Sequence, residues 1–241
     1  MRIALIGYGK MGKAIHAIAL DRNHTITQII TASNAQDLPA LHNHNVDVAI
    51  EFTTPHTAYH NVTTCLQQGI PVVSGTTGWY SKLAQAQALC VVHNTSLLTS
   101  SNFSIGVNVY MHINAKLAQL MSQYPAYHVS ITEVHHTQKL DAPSGTAITL
   151  AEDIIKYNNN VTHWHTANEV SSNPAQCIPI TSVRADPTPG THTITYSSSI
   201  DDISITHIAH NRQGFAIGAV LAAEYIIGKQ GAYSMQDVIS S

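Results

Sequence analysis

At 241 residues and 44% apolar content, the chain can form one large domain or two small ones with ample core, and no apolar run approaches the ~20 residues of a membrane span. Only 10% of residues are Asp, Glu, Lys or Arg, against roughly 25% in an ordinary domain, so Asn, Gln, Ser, Thr and His must build the surface. The net charge of −3 and the lack of a Lys/Arg cluster argue against nucleic acid, and 11 Lys and Arg leave few candidates for holding an anion.

Cys65, Cys90 and Cys177 are odd in number and form no Cys-x-x-Cys, which suits a reducing compartment. The start of the chain has no signal-peptide plan, so a cytoplasmic location is expected. The 16 histidines include the pairs His42-x-His44, His135-His136 and His163-x-His165. None has the second half of a zinc framework, so they read as polar surface and no metal is expected.

Arg2 to Ile6 is a compact apolar strand, followed by Gly7-Tyr8-Gly9-Lys10-Met11-Gly12 and an Ala/Ile-rich helix to about Leu20. A G-x-G-x-x-G between strand and helix is the dinucleotide-binding fingerprint. Gly7 permits the tight turn, Gly9 admits the pyrophosphate and Gly12 lets helix pack on strand. A second strand, Ile26 to Thr31, should end near the adenosine ribose, where NAD-preferring sites carry a carboxylate. Here Thr31-Ala32-Ser33-Asn34 offers none. Nothing repels a 2′-phosphate, and Thr31, Ser33 and Lys10 can hydrogen-bond one, so NADPH is expected to serve at least as well as NADH.

Asp47 to Phe52 is a third strand, and Thr53-Thr54-Pro55 opens the next helix. Pro71 to Ser74 is a fourth, followed by Gly75-Thr76-Thr77-Gly78, and Val91-Val92-His93 a fifth. Strands and helices alternate every 20–25 residues or so, the rhythm of a doubly wound parallel sheet with ligands at the C-terminal strand ends. Ser100-Ser101-Asn102-Phe103-Ser104-Ile105-Gly106-Val107-Asn108 begins a capped helix to about Ser122.

Tyr127 to Val134 alternates as a strand, and Ala147 to Tyr157 has helical spacing at Ile148, Leu150, Ala151, Ile154 and Ile155. Between them lies Glu133-Val134-His135-His136-Thr137-Gln138-Lys139-Leu140-Asp141-Ala142-Pro143-Ser144-Gly145-Thr146, poor material for a core and good material for a site. Histidine exchanges a proton near neutral pH, lysine adds a cation or a second proton, and a Ser-Gly-Thr turn at a helix start can hold an anion. The combination suits a small anionic substrate that must be protonated. Ser144 or Thr146 can equally be an ordinary helix cap. Asn158 to Ala175 is polar and irregular, later strands fall near Ile178–Arg184, Thr191–Ser197 and Ile203–Ala209, and Gly214 to Gly228 is a last helix that should return to the nucleotide domain. Alternation at Ile203, Ile205 and His207 suggests a sheet with one face on helices and the other free.

Glu-x-His-His-x-x-Lys-x-Asp-Ala-Pro-Ser-Gly-Thr-Ala closely resembles the substrate-site motif of the 4-hydroxy-tetrahydrodipicolinate (dihydrodipicolinate) reductase family, and the likeness covers nearly the whole chain. It implies an α/β fold: an N-terminal Rossmann-type doubly wound parallel sheet, residues 1–103 completed by 214–241, plus a C-terminal α+β substrate and oligomerisation domain, 104–213, with an open mixed sheet. It implies NADPH or NADH as cofactor and reduction of a cyclic imine carrying two carboxylates, in lysine and diaminopimelate biosynthesis. His135 and Lys139 match the proton donors. His136, Ser144, Gly145 and Thr146 match substrate contacts, and Arg212 is expected near the substrate. Phe52-Thr53, Gly75-Thr76-Thr77 and Ser100-Ser101-Asn102-Phe103 match segments around the nicotinamide. A homotetramer paired through the open sheet is a further expectation. The alternatives are another two-domain NAD(P)-dependent dehydrogenase sharing only the Gly7–Gly12 half, or a non-catalytic nucleotide sensor. The match from Lys139 to Thr146 weighs against the first, and the presence of His135 and Lys139 against the second.

Overall fold

The computed structural model describes residues 1–167, 173, 176–211 and 213–241. The chain divides into two compact units, Met1–Asn108 with Gln213–Ser241, and Val109–Arg212.

The first unit is a six-stranded parallel sheet. Its elements are β1 (Arg2–Ile6), α1 (Lys10–Asp21), β2 (Thr25–Ile30), β3 (Val48–Glu51), α2 (Pro55–Gln67), β4 (Val72–Ser74), α3 (Leu83–Val92), β5 (Ser96–Thr99) and the start of α4 (Ile105–Met121). Along β1 the side chains alternate between two cores: Ala4 and Ile6 pack with α2 and α3, whereas Ile3 and Leu5 pack with α1 and the late helix α6 (Gln213–Ile226). Both faces are covered, which is why the strands read as unbroken apolar runs. With β11 (Gly231–Tyr233) at one edge, the strand order β11-β5-β4-β3-β1-β2 reverses its winding between β1 and β3, so a crevice opens at their C-terminal ends.

Two expectations shift here. Val91-Val92-His93 is the end of α3 and its cap, not a strand. The valines are 76% and 70% exposed, while Ala86 and Cys90 hold the helix down at i and i+4; Asn94 reverses the chain at φ +50, and the buried Ser96 to Leu98 supply the strand. A β-branched pair imitated a strand because its exposure is not visible in the sequence. The helix from residue 213 is also not the last element, since β11 (Gly231–Tyr233) pairs with β5 and α7 (Met235–Ile239) follows.

The second unit comprises the rest of α4, β6 (His128–His135), α5 (Gly145–Tyr157), β7 (His163–Thr166), β8 (Cys177–Arg184), β9 (Gly190–Ser197) and β10 (Asp202–Ala209). Its sheet is mixed, in the order β10-β9-β6-β8-β7, with β6, β8 and β7 parallel and β9 and β10 antiparallel. The stretch read as irregular therefore contains an edge strand. One face carries Val129, Ile131, Ile178, Ile180, Ile194 and Tyr196 against Leu150 and Ile154 of α5 and Tyr110, Ala118 and Met121 of α4. The other face presents Ser and Thr: Thr193 bonds Thr206, and Thr195 bonds Ser204, between exposed hydroxyls. Among the described residues no helix is long and apolar enough to cross a membrane.

Candidate functional site

In the first unit the glycine turn sits at the β1/β3 switch point. Gly7 has φ +94, and a Cβ there would stand 2.1 Å from the carbonyl oxygen of Phe52; one on Gly12 would stand 2.2 Å from that of Gly7. Both glycines are dictated by packing. Gly9 differs, because nothing lies within 4 Å of where its Cβ would be, leaving open space at the N-terminus of α1. No acidic residue occupies the first turn of that helix, so its unpaired N–H groups face an anion without competition. A cavity of about 500 Å³ is lined by Gly9, Lys10, Met11, Gly12, Phe52, Thr53, Gly75, Thr76, Thr77 and Pro55. Gly75 is needed there because a Cβ would strike the Phe52 ring at 2.1 Å.

Beneath this cavity Glu51 ends β3 with no exposure to solvent. It accepts hydrogen bonds from the Thr53 amide (3.0 Å), the hydroxyls of Ser74 (2.6 Å) and Thr76 (2.8 Å), and the Thr53 hydroxyl. One carboxylate thus fixes the loops after β3 and β4.

In the second unit the inward phase of β6 continues past the core. Val129 and Ile131 are followed on the same face by Glu133, wholly buried, and His135, 7% exposed. Register then aligns polar partners: Glu133 lies opposite Ser182 of β8 and His192 of β9, and His135 opposite Arg184. Glu133 accepts from the Ser144 amide (3.0 and 3.1 Å) and the Ser182 hydroxyl (2.7 Å). His135 Nδ1, Arg184 Nη2 and His192 Nε2 stand 3.4, 3.6 and 3.8 Å from its oxygens. The His135 and His192 rings meet edge to face at 5.1 Å.

The electrostatics follow from this enclosure. Burial alone would raise the Glu133 carboxyl, but the bonds from Ser144 and Ser182 together outweigh it and hold it below its ordinary value. Burial lowers His135, against the pull of the Glu133 carboxylate. His192 is pushed down to about 4 by burial and then by the charge of His135, so it is neutral at pH 7.

From His135 the chain runs into a loop that Arg184 and Asp186 brace. The guanidinium donates to the carbonyls of Lys139 (3.2 Å) and Asp141 (2.7 Å), and Asp186 takes both the amide and the hydroxyl of Thr137. The Lys139 ammonium lies 2.8 Å from each oxygen of the exposed Asp141. The loop ends at Ser144, whose hydroxyl caps α5 by accepting from Ala147. As first-turn groups, the amides of Gly145 and Thr146 have no partner within α5.

Comparison with known proteins fits this geometry. The C-terminal profile of dihydrodipicolinate reductase matches residues 106–239, and the N-terminal profile residues 1–103. A 4-hydroxy-tetrahydrodipicolinate reductase from Christiangramia forsetii is 47% identical over 240 residues, covering 100% of this chain and 98% of the relative. The chain belongs to the dihydrodipicolinate reductase family. A second reductase of the same name, from Lawsonia intracellularis, is 33% identical over 99% of each chain. The solved structure of a dipicolinate-bound dihydrodipicolinate reductase from Paenisporosarcina sp. TG-14 is 27% identical, with a TM-score of 0.76 over 97% of each chain.

As a dihydrodipicolinate reductase family member, the chain uses a nicotinamide dinucleotide, NADPH or NADH, and the open N-terminus of α1 suits its pyrophosphate. Nine of the residues expected at the cofactor line the one cavity described above. The others are placed differently. Tyr8 bonds His16 through its hydroxyl (2.8 Å), and Thr31 caps the short 3-10 turn from Ala32 while bonding Ser33 and Asn34. Ser100 and Asn102 bond each other, and Ser101 is exposed. Phe103 is 2% exposed and packs on Phe52, and Gly218 of α6 lies against its carbonyl. Ser144 is 2% exposed, with its amide on Glu133 and its hydroxyl shared by Ala147 and His192, and so builds the turn before α5. His135, His136, Lys139, Gly145 and Thr146 all belong to the braced segment, and Arg212 lies outside the described residues.

Sequence reading gave no role to Glu51, Glu133, Arg184 or His192. A local signal existed for Glu133, since a carboxylate in the inward phase of an otherwise apolar strand must be compensated. The donor atoms of Glu133, His135 and His192 also lie within 4.8 Å of one another, a spacing that could hold a metal ion. Yet amide and hydroxyl donors already occupy the Glu133 oxygens, and a guanidinium lies 3.6 Å away. Those neighbours repel a second cation and suit a hydrogen-bonded network.

Proposed function

We propose that this chain reduces the cyclic imine derived from 4-hydroxy-tetrahydrodipicolinate to tetrahydrodipicolinate, in lysine and diaminopimelate biosynthesis. Reduced nicotinamide supplies the hydride to ring C4 when bound. The residues of the second unit then manage the proton and the two substrate carboxylates. His135 gives the proton to the carbon next to C4, with Lys139 as the second acid, and the N–H bond breaks as the C–H bond forms. His136 contacts the substrate, and the amides of Gly145 and Thr146 at the start of α5 grip one carboxylate. Arg212 is a further substrate contact. The flat cyclic dicarboxylate bound by the Paenisporosarcina relative is of the same chemical class.

The observation that carries this reading is the fastening of residues 135–146 to one buried carboxylate and one guanidinium, which brings proton donor, ammonium and open helix start into a single braced segment. The protein acts in the cytoplasm as a homotetramer paired through the Ser/Thr face of the mixed sheet; light scattering should give the mass of four chains. The direct test couples the protein to the synthase that makes the substrate and follows NADPH absorbance. Oxidation that depends on both proteins is the expected result. No oxidation with either NADPH or NADH overturns the proposal.

A further inference from the structure

We propose that Glu133 is the positioning residue for the His135 proton donor: its buried carboxylate anchors the Nδ1 side of the ring and thereby assigns the transferable proton to Nε2. The inference deepens the functional reading above and rests on it.

Three observations carry it. Glu133 is wholly buried and His135 nearly so, and the ring turns Nδ1 toward Oε2 at 3.4 Å. That nitrogen is sealed from solvent and makes no hydrogen bond among the described residues, so the Glu133 oxygen at 3.4 Å is an ion-pair contact. A lone pair there would face a carboxylate and be repelled, so the proton belongs on Nδ1 and the exchangeable one on Nε2. Second, the other side of the ring is fixed as well. The His192 ring stands edge-on at 5.1 Å, and a Cβ on Gly190 would lie 3.1 Å from Nε2. A side chain at residue 190 would press the ring aside by a few tenths of an ångström. Third, the same carboxylate takes the Ser144 amide that starts α5, so proton donor and carboxylate grip are set by one anchor.

The charges facing His135 come from every element around it. Glu133 on β6 and Asp141 in the loop favour the charged ring, and Lys139 and Arg184 oppose it. His192 on β9 would oppose it too, but burial keeps it neutral. Lys139 is paired with Asp141 at 2.8 Å, which leaves Glu133 as the buried charge in contact with the ring. When the charged ring donates from Nε2, the N–H bond electrons stay on Nε2 and the Nδ1 proton remains on the carboxylate side.

The test uses the full-length protein with Glu133→Gln, which keeps an acceptor for Ser144 and Ser182 but removes the charge. Losing that charge makes the ring a stronger acid, so the alkaline limb of the kcat pH profile should move to lower pH by about one unit. At pH 7.5 kcat should fall by up to about tenfold, with KM for NADPH unchanged. A fall in kcat with the limb unmoved would mean a merely structural role and overturn the proposal, as would unchanged kinetics. Should the variant not fold, ¹⁵N-histidine NMR of the wild type decides the matter: neutral His135 is expected as the Nδ1–H tautomer, and the Nε2–H tautomer refutes the idea. Activity abolished by chelator and restored by zinc would also refute it. If wild-type enzyme turns over no substrate, the functional reading fails on its own, and the tautomer still tests Glu133.

Discussion

Glu51 and Glu133 invite comparison, because each is a wholly buried carboxylate near the C-terminal end of a strand and each organises the loops above it. Their neighbours differ in kind. Among the described residues the Glu51 carboxylate accepts bonds only from the neutral groups of Thr53, Ser74 and Thr76. Glu133 accepts from Ser144 and Ser182 and also has His135, Arg184 and His192 within ion-pair reach. Burying a carboxylate costs several kcal/mol unless donors replace water, roughly, and both sites supply donors. Neutral donors suffice to shape a binding loop. A titratable ring beside the same device turns it into control over a proton.

The largest effects should come from breaking the proton side. Lys139→Ala should lower kcat by about 10²–10⁴ while barely moving the thermal midpoint, since among the described residues the ammonium is bonded only to the exposed Asp141; near-normal turnover would remove Lys139 from the mechanism. Next comes acid stability. His192 is held neutral with its value near 4, below its unfolded 6.5, so its contribution is present above about pH 6.5 and is lost as pH falls toward 4. The loss should be on the order of 3 kcal/mol in denaturant unfolding and should shrink in His192→Asn.

The cofactor side should respond through packing and binding. Gly7→Ala and Gly12→Ala should destabilise by about 1–3 kcal/mol, because their Cβ atoms overlap backbone carbonyls. Gly9→Ala should leave the denaturation midpoint unchanged and weaken dinucleotide binding, since its Cβ meets only open space. Glu51→Gln sharpens the comparison: KM for NADPH should rise about fivefold, the worth of one hydrogen bond, with no shift of the pH limb. The smallest expected difference is between cofactors. NADPH should match or exceed NADH in kcat/KM, and a tenfold preference for NADH would mean that Thr31, already occupied with Ser33 and Asn34, does not serve a 2′-phosphate.

How far these features could be read in advance depended on range along the chain. The Gly7–Gly12 turn was legible because strand, turn and helix are contiguous and their steric demands local. Val91-Val92 misled because apolar β-branched residues suggest a strand unless their exposure is known. For Phe103 and Ser144 the motif gives the segment, but what encloses each side chain was decided by packing against α6 and Glu133.

The sequence by itself determined the α/β fold class, the nucleotide turn and the family, since each rests on short-range periodicity or an ordered motif. Only the tertiary structure decided that Glu133 meets Ser182 and His192 across three strands, because strand register aligns residues far apart in the chain. His192 was one histidine among 16 until that alignment buried it beside a carboxylate. Burial and proximity change what an imidazole does, and neither is written in the order of the residues.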